Sequence, residues 1–185
     1  MTGRESQREP KHGTGVLFEA LREDARNLSP ADFEERHGSA FLLLTAAELR
    51  EPEGPAMTEV NLADVDEPAS ERTASLELLA YPAVRTERSV GHLVTVGRTS
   101  NNDIAIPDLS VSRFHAFMKP LDDGRFQIQD ANSTNVTTVN GTSVPAQGNG
   151  PSMDLKSGDN VRLGQVELTF LSAQALREFV LARDT

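Results

Sequence analysis

Three short segments combine polar side chains at spacings that suit a single anionic ligand. They are Val96-Gly97-Arg98-Thr99-Ser100-Asn101-Asn102-Asp103-Ile104, then Asp108-Leu109-Ser110-Val111-Ser112-Arg113-Phe114-His115-Ala116, and then Asp130 through Gly141. Each is turn-like and rich in short hydrogen-bonding side chains, and two of them contain arginine. Loops of this kind, held at strand ends by a rigid scaffold, are where function concentrates. Arg98 offers a planar fork of donors that matches phosphate oxygens. Ser112 adds a hydroxyl and Asn135 an amide that both donates and accepts. The same residues also suit a plainer role, satisfying the backbone of tight turns.

Other chemistries find less support. Ser112, His115 and either Asp108 or Asp130 contain the parts of a catalytic triad, but no strained nucleophile turn or oxyanion-hole signature accompanies them. Asp103 and Asp108 lack the spacing of a calcium loop. The four histidines form neither HxH nor HExxH, and the chain has no cysteine, which excludes disulfides, thiolate metal sites and thiol catalysis. A GxxxxGK[ST] phosphate loop is missing, so nucleotide hydrolysis has no support. The expectation is a chain that is not an enzyme and needs neither metal nor cofactor.

The elements that would hold these loops are short. From Leu76 onward SLELLAYPAV, HLVTVGR, DIAIPD, HAFMKPL, RFQIQD, TTVNGTSV, NVRLG and QVELTFL alternate apolar and polar residues between Gly, Asn, Asp and Pro punctuation. Many short strands at turn-bounded spacing indicate an all-β sandwich or barrel. Asn140-Gly141 reads as a tight hairpin turn. The final stretch predicts a helix, with Leu176, Phe179 and Val180 on one face and Ser172 as its cap.

The first part of the chain differs. Residues 1–13 are polar and without periodicity, the signature of a disordered tail and not of a secretory signal. Phe18, Leu21, Ala25 and Leu28 predict a helix. A second helix is punctuated by Ser29 as cap, Pro30 in the first turn, Asp32 and Glu34 near the start, and Gly38 at the end. Ala40–Ala46, AFLLLTA, fits a buried strand or a helix start equally. Residues 48–73 hold eight acids and three prolines and read as a linker. The expected division is a helical and acidic extension over 1–75, a β-sandwich over 76–172 and a helix over 173–185.

Charge follows this division. The net charge of −10 splits into −8 for residues 1–75 (8 Lys+Arg, 16 Asp+Glu) and −2 for residues 76–185 (10 and 12). A negative field disfavours nucleic acid and anionic membrane, yet a local basic notch survives because charges beyond about 8 Å are largely screened. No apolar run approaches the roughly 20 residues that span a bilayer, so a cytoplasmic protein is expected.

Taken in order, Gly97-Arg98, Asn102-Asp103-Ile104, Ser112-Arg113-Phe114-His115 and the Asp130–Gly141 run resemble the forkhead-associated (FHA) domain family, whose pattern is G-R, N-D-I, S-x-x-H and D-x-x-S-x-N-G-T-x-x-N-G. The resemblance covers roughly residues 76–172. It implies an eleven-stranded β-sandwich that binds phosphothreonine peptides at its apical loops, as an adaptor or regulator in Ser/Thr kinase signalling. By the same resemblance Arg98 and Ser112 contact phosphate, Arg113 contacts phosphate or peptide backbone, and Thr134 and Asn135 hold the peptide main chain. Gly97, His115, Asn140 and Gly141 brace the loops. The implied partner is a phosphothreonine protein or peptide, with Thr58 and Thr73 of the acidic extension as intramolecular candidates. A phosphate-independent interaction scaffold is the alternative. The chain departs from the pattern at Val136, where the family has Gly, and at Thr138, where a larger residue is common.

Overall fold

The computed structural model describes residues 15–45, 78–87 and 89–183. Twelve strands and three helices are defined among them. Two sheets face each other. The larger has the order β1-β3-β2-β12-β11-β8-β9, built from β1 (Val16–Leu17), β2 (Ala40–Thr45), β3 (Leu78–Pro82), β8 (Thr137–Val139), β9 (Thr142–Ser143), β11 (Asn160–Leu163) and β12 (Val166–Ser172). The smaller has the order β10-β7-β6-β4-β5, from β4 (Val94–Gly97), β5 (Ile104–Ala105), β6 (Ala116–Pro120), β7 (Phe126–Asp130) and β10 (Met153–Leu155). The eleven strands β2 to β12 form the expected sandwich, and β1 is a two-residue addition against β3.

Alternation along the strands builds the core between the sheets. Val94, Val96, Met118 and Ile128 from the smaller sheet meet Leu42, Leu44, Val161, Leu163 and Leu168 from the larger. A second core lies on the other face of the larger sheet. There α1 (Phe18–Asn27), α2 (Pro30–His37) and α3 (Ala173–Ala182) bury Phe18, Leu21, Ala25, Phe33, Leu176 and Val180 against Phe41, Leu43, Leu78 and Ala80. The helices form where the sequence places them. The Ser29 hydroxyl accepts from Asp32 N at 3.2 Å, Gly38 closes α2 at φ 100°, and the Ser172 hydroxyl accepts from Ala175 N at 3.2 Å.

The expected boundary at residue 76 needs correction. β2 lies between β12 and β3, pairing Leu42 with both Phe170 and Tyr81. The sandwich therefore begins at Ala40, and the N-terminal helices form a third layer together with α3. Phe18 stacks edge-on to Phe179 at 5.8 Å, and Arg177 donates to the Leu28 carbonyl at 3.1 Å. The expected tail over 1–13, the linker over 48–73, and Thr58 and Thr73 lie outside the described residues.

Topology explains why the three polar segments meet. β6 runs antiparallel to both β4 and β7. The end of β4, the start of β6 and the end of β7 consequently share one end of the smaller sheet. The loops that leave those points carry Arg98, Ser112 and Asn135.

Candidate phosphopeptide site

Each apical loop is held by a buried aspartate. Asp103 accepts five hydrogen bonds, from the Thr86 backbone and hydroxyl, the Ser89 hydroxyl, and the Thr95 backbone and hydroxyl. Asp130 accepts four, from the backbone and hydroxyl groups of Ser133 and Thr137. Burial pushes both carboxyls upward, but this is outweighed by the donors, and both end below the usual carboxylate range. Asp108 accepts from Ser110 N at 2.8 Å and Ser110 Oγ at 2.6 Å. The oxygens of all three acids are spent on shaping loops.

The loops are then tied to each other. Arg98 N donates to the Ser112 carbonyl at 2.9 Å. Asn102 Nδ2 donates to the carbonyls of Thr99 at 2.9 Å and Arg113 at 2.7 Å. Gly97 permits this close approach, since a Cβ there would overlap the Arg113 carbonyl and lie 2.8 Å from Asn102 Nδ2. Thr134 N donates to Ser112 Oγ at 3.0 Å, and Asn135 Nδ2 donates to the Ser110 carbonyl at 2.9 Å. Ser110 Oγ in turn accepts from Gln165 N at 2.9 Å, which links the β11–β12 turn to the group.

His115 is fully buried beneath the loops. Its Nδ1 accepts from Ser112 N at 2.9 Å, while its backbone N–H donates to the Val96 carbonyl at 2.9 Å and its carbonyl accepts from Ala131 N at 2.9 Å. Burial pushes the imidazole below its ordinary pKa, against the opposing pull of the Asp130 carboxylate and the Asn135 backbone. Ser112 presents its backbone to the ring, not its hydroxyl, so the two do not form a nucleophile–base pair.

Asn140 and Gly141 both take positive φ, 50° and 79°, in the two-residue turn between β8 and β9. Asn140 also donates to Asp159 at 2.8 Å and accepts from Asn160 N at 2.9 Å, which pins this hairpin to the start of β11. Of the four expected bracing residues, Gly97 and His115 lie at the apical loops, whereas Asn140 and Gly141 sit at the far end of β8, beside the start of β11.

The expected contact residues lie together. An open cleft of about 470 Å³ is lined by Arg98, Ser112, Arg113, Thr134 and Asn135, with Leu109 and Phe114 at its edge. Among the described residues neither Arg98 nor Arg113 makes an ion pair. The sequence reading did not single out Leu109, Ser110 or Asn132, which also line the cleft. Among them Asn132 carries a signal: it adopts φ 61°, a conformation Asn tolerates better than most residues.

The FHA domain family model matches residues 94–164. An ABC transporter ATP-binding/permease protein, Rv1747, of Mycobacterium tuberculosis is 37% identical over 98 residues, covering 51% of this chain and 10% of that protein. The oxoglutarate dehydrogenase inhibitor of Corynebacterium glutamicum is 35% identical over 81 residues, covering 44% of this chain and 52% of the inhibitor. This chain therefore spans about half the length of that relative and a tenth of the former. Among solved structures, the FhaA FHA domain complexed with the intracellular domain of Rv3910 is 32% identical, covering 46% of this chain and 87% of that one, with a TM-score of 0.38. Residues 94–164, the part of the chain that these loops crown, are thus an FHA domain. No helix among the described residues is long and apolar enough to cross a membrane.

Proposed function

We propose that this chain is a phosphothreonine-binding adaptor or regulatory module acting in Ser/Thr kinase signalling. The observation that carries the reading is the convergence of Arg98, Ser112, Arg113, Thr134 and Asn135 on one open cleft, with both arginines free of internal ion pairs among the described residues. Two guanidinium groups and a hydroxyl there supply charge-assisted donors for a phosphate dianion. Asn135 gives its Nδ2 to the Ser110 carbonyl, which orients the amide and leaves its oxygen for a peptide N–H. Preference for Thr over Ser would rest on one methyl group, worth about 1–3 kcal/mol in a fitted pocket. The protein works by binding and performs no chemistry on its partner. Its acidic extension offers Thr58 and Thr73 as ligands in cis, where tethering raises effective concentration toward roughly millimolar.

The test is calorimetric titration with a phosphothreonine peptide library, using non-phosphorylated and phosphoserine peptides as controls. Binding that needs the phosphate and favours Thr is expected. Equal binding of the unphosphorylated peptides would replace this reading with a phosphate-independent scaffold.

A further inference from the structure

The dipeptide Asn-Gly occurs twice in the chain, at Asn140-Gly141 and at Asn149-Gly150. Both pairs are exposed, but the structure treats their side-chain amides in opposite ways.

At residue 140 both ends of the amide are committed. Nδ2 donates to Asp159 Oδ1 at 2.8 Å, and Oδ1 accepts from Asn160 N at 2.9 Å. The amide cannot turn onto the following peptide nitrogen without losing both bonds. At residue 149 the backbone is held and the side chain is not. Asn149 N donates to the Ala146 carbonyl at 2.9 Å, closing a turn in which Gly148 takes φ 87°. Among the described residues the Asn149 side-chain amide has no hydrogen-bond partner, and neither has Gly150 N.

Packing explains the glycine at 150. A Cβ there would lie 2.8 Å from Pro145 Cβ, and the Gly150 carbonyl accepts from Gln129 Nε2 at 3.4 Å. The close crossing that demands glycine also leaves its nitrogen unshielded by any side chain of its own.

We propose that Asn149 is a site of spontaneous covalent modification whose only co-reactant is water. Gly150 N loses its proton and attacks Asn149 Cγ, and the new N–Cγ bond closes a five-membered succinimide. The Cγ–Nδ2 bond breaks, and Nδ2 leaves as ammonia with the proton that Gly150 N gave up. Water then opens the ring at either carbonyl. One opening leaves aspartate. The other leaves isoaspartate, whose main chain runs through the side-chain carbon and is longer by one atom. Both products place a new carboxylate on the loop between β9 and β10. The longer main chain also displaces Gly150 from Pro145 and Gln129. That loosens the loop from β7, where Ala146 bridges to Asp130 and Gln147 N donates to the Asp130 carbonyl at 2.8 Å.

The experiment incubates the full chain at physiological temperature and mildly alkaline pH, folded and in denaturant, and follows both pairs by peptide mapping with mass spectrometry. In the folded chain residue 149 is expected to convert at least about tenfold faster than residue 140, where two hydrogen bonds must open first. In denaturant the two rates should converge. The acidic species that ion exchange resolves should be missing from Asn149→Ser. The isoaspartyl form should melt below Asn149→Asp, which gains the same carboxylate without the extra main-chain atom. An Asn149 that stays intact in the folded chain, or an Asn140 that converts as fast, would overturn the site. A rate ratio unchanged by denaturant would assign the difference to sequence and overturn the role of the fold. Equal melting of the isoaspartyl form and Asn149→Asp would overturn the loosening of the loop.

Discussion

The backbone N–H of Ser112 donates to Nδ1 of His115 at 2.9 Å, so a residue that lines the cleft is fixed in place by one that no ligand reaches. This bond turns the Ser112 hydroxyl away from the ring and toward Thr134 N. It also requires the imidazole to be unprotonated at Nδ1, which ties loop geometry to the charge state of a buried group. Two predictions follow from this single contact, one about the side chain and one about its proton.

His115→Ala removes a buried ring together with its bond to the loop. A cavity and an unpaired Ser112 N–H together are expected to cost about 2–4 kcal/mol of stability. Chemical denaturation should show the loss, and phosphopeptide affinity should fall with it. An unchanged midpoint accompanied by lost binding would mean that His115 touches the ligand directly.

Stability should also fall in mild acid. The folded pKa of His115 lies below its unfolded value of 6.5. Between those two values the unfolded chain binds more protons than the folded one, so stability rises with pH. The contribution is complete above about pH 6.5 and is lost as pH falls through the folded pKa. Asp103 and Asp130 are also depressed and act in the same direction lower down, their contribution being lost below about pH 4 as pH passes their folded values. Melting temperature against pH should therefore fall in two stages. In His115→Gln the upper stage should disappear while the lower one remains.

Arg98→Ala should separate binding from folding. The backbone of residue 98 keeps its bond to the Ser112 carbonyl whatever the side chain, and the guanidinium makes no ion pair among the described residues. Two charge-assisted bonds to phosphate, at about 1.5–3 kcal/mol each, predict a loss of at least a hundredfold in phosphopeptide affinity. The melting temperature should not move. Calorimetry that finds wild-type affinity would remove Arg98 from the site.

Gly97→Ala tests the loop crossing. The added Cβ would meet the Arg113 carbonyl and Asn102 Nδ2, and neither can withdraw, because the two are bonded to each other at 2.7 Å. The β4–β5 and β5–β6 loops must separate, so both stability and phosphopeptide binding are expected to drop. Retention of both would mean that the loops can separate at no cost.

How much of this was legible in the sequence depends on the range of the interactions. The apical loops were readable because short side chains close them over two or three residues, as in Asp108 with Ser110 and Asp130 with Ser133. The caps Ser29 and Ser172 were readable for the same reason. β2 was not, since Phe41 and Leu43 face the helices while Leu42 and Leu44 face the sandwich. A strand buried on both faces loses its alternation and cannot be told from a helix start. β1 and β10, two and three residues long, are defined by their partners β3 and β7 and not by any pattern of their own.

Val136 gives the last prediction. Glycine in the family pattern suggests a left-handed backbone, which a β-branched residue adopts only with strain. Positive φ in the β7–β8 loop is instead found at Asn132, at 61°, and Val136 is not among the residues with positive φ. The backbone around residue 136 is held on both sides: Ser133 Oγ donates to the Asn135 carbonyl at 3.1 Å, and Thr137 N donates to Asp130 at 3.1 Å. Val136→Gly therefore relieves no strain and only frees the unfolded chain. It should lower stability by about 0.5–1 kcal/mol and leave affinity for an all-Ala-flanked phosphopeptide within about twofold. Asn132→Val, which forces a β-branched residue into the left-handed region, should cost more, about 1–2 kcal/mol or above. Parallel thermal melts and titrations of the two variants provide the check. Tighter binding by Val136→Gly would show that the valine, and not Asn132, sets the limit on this loop.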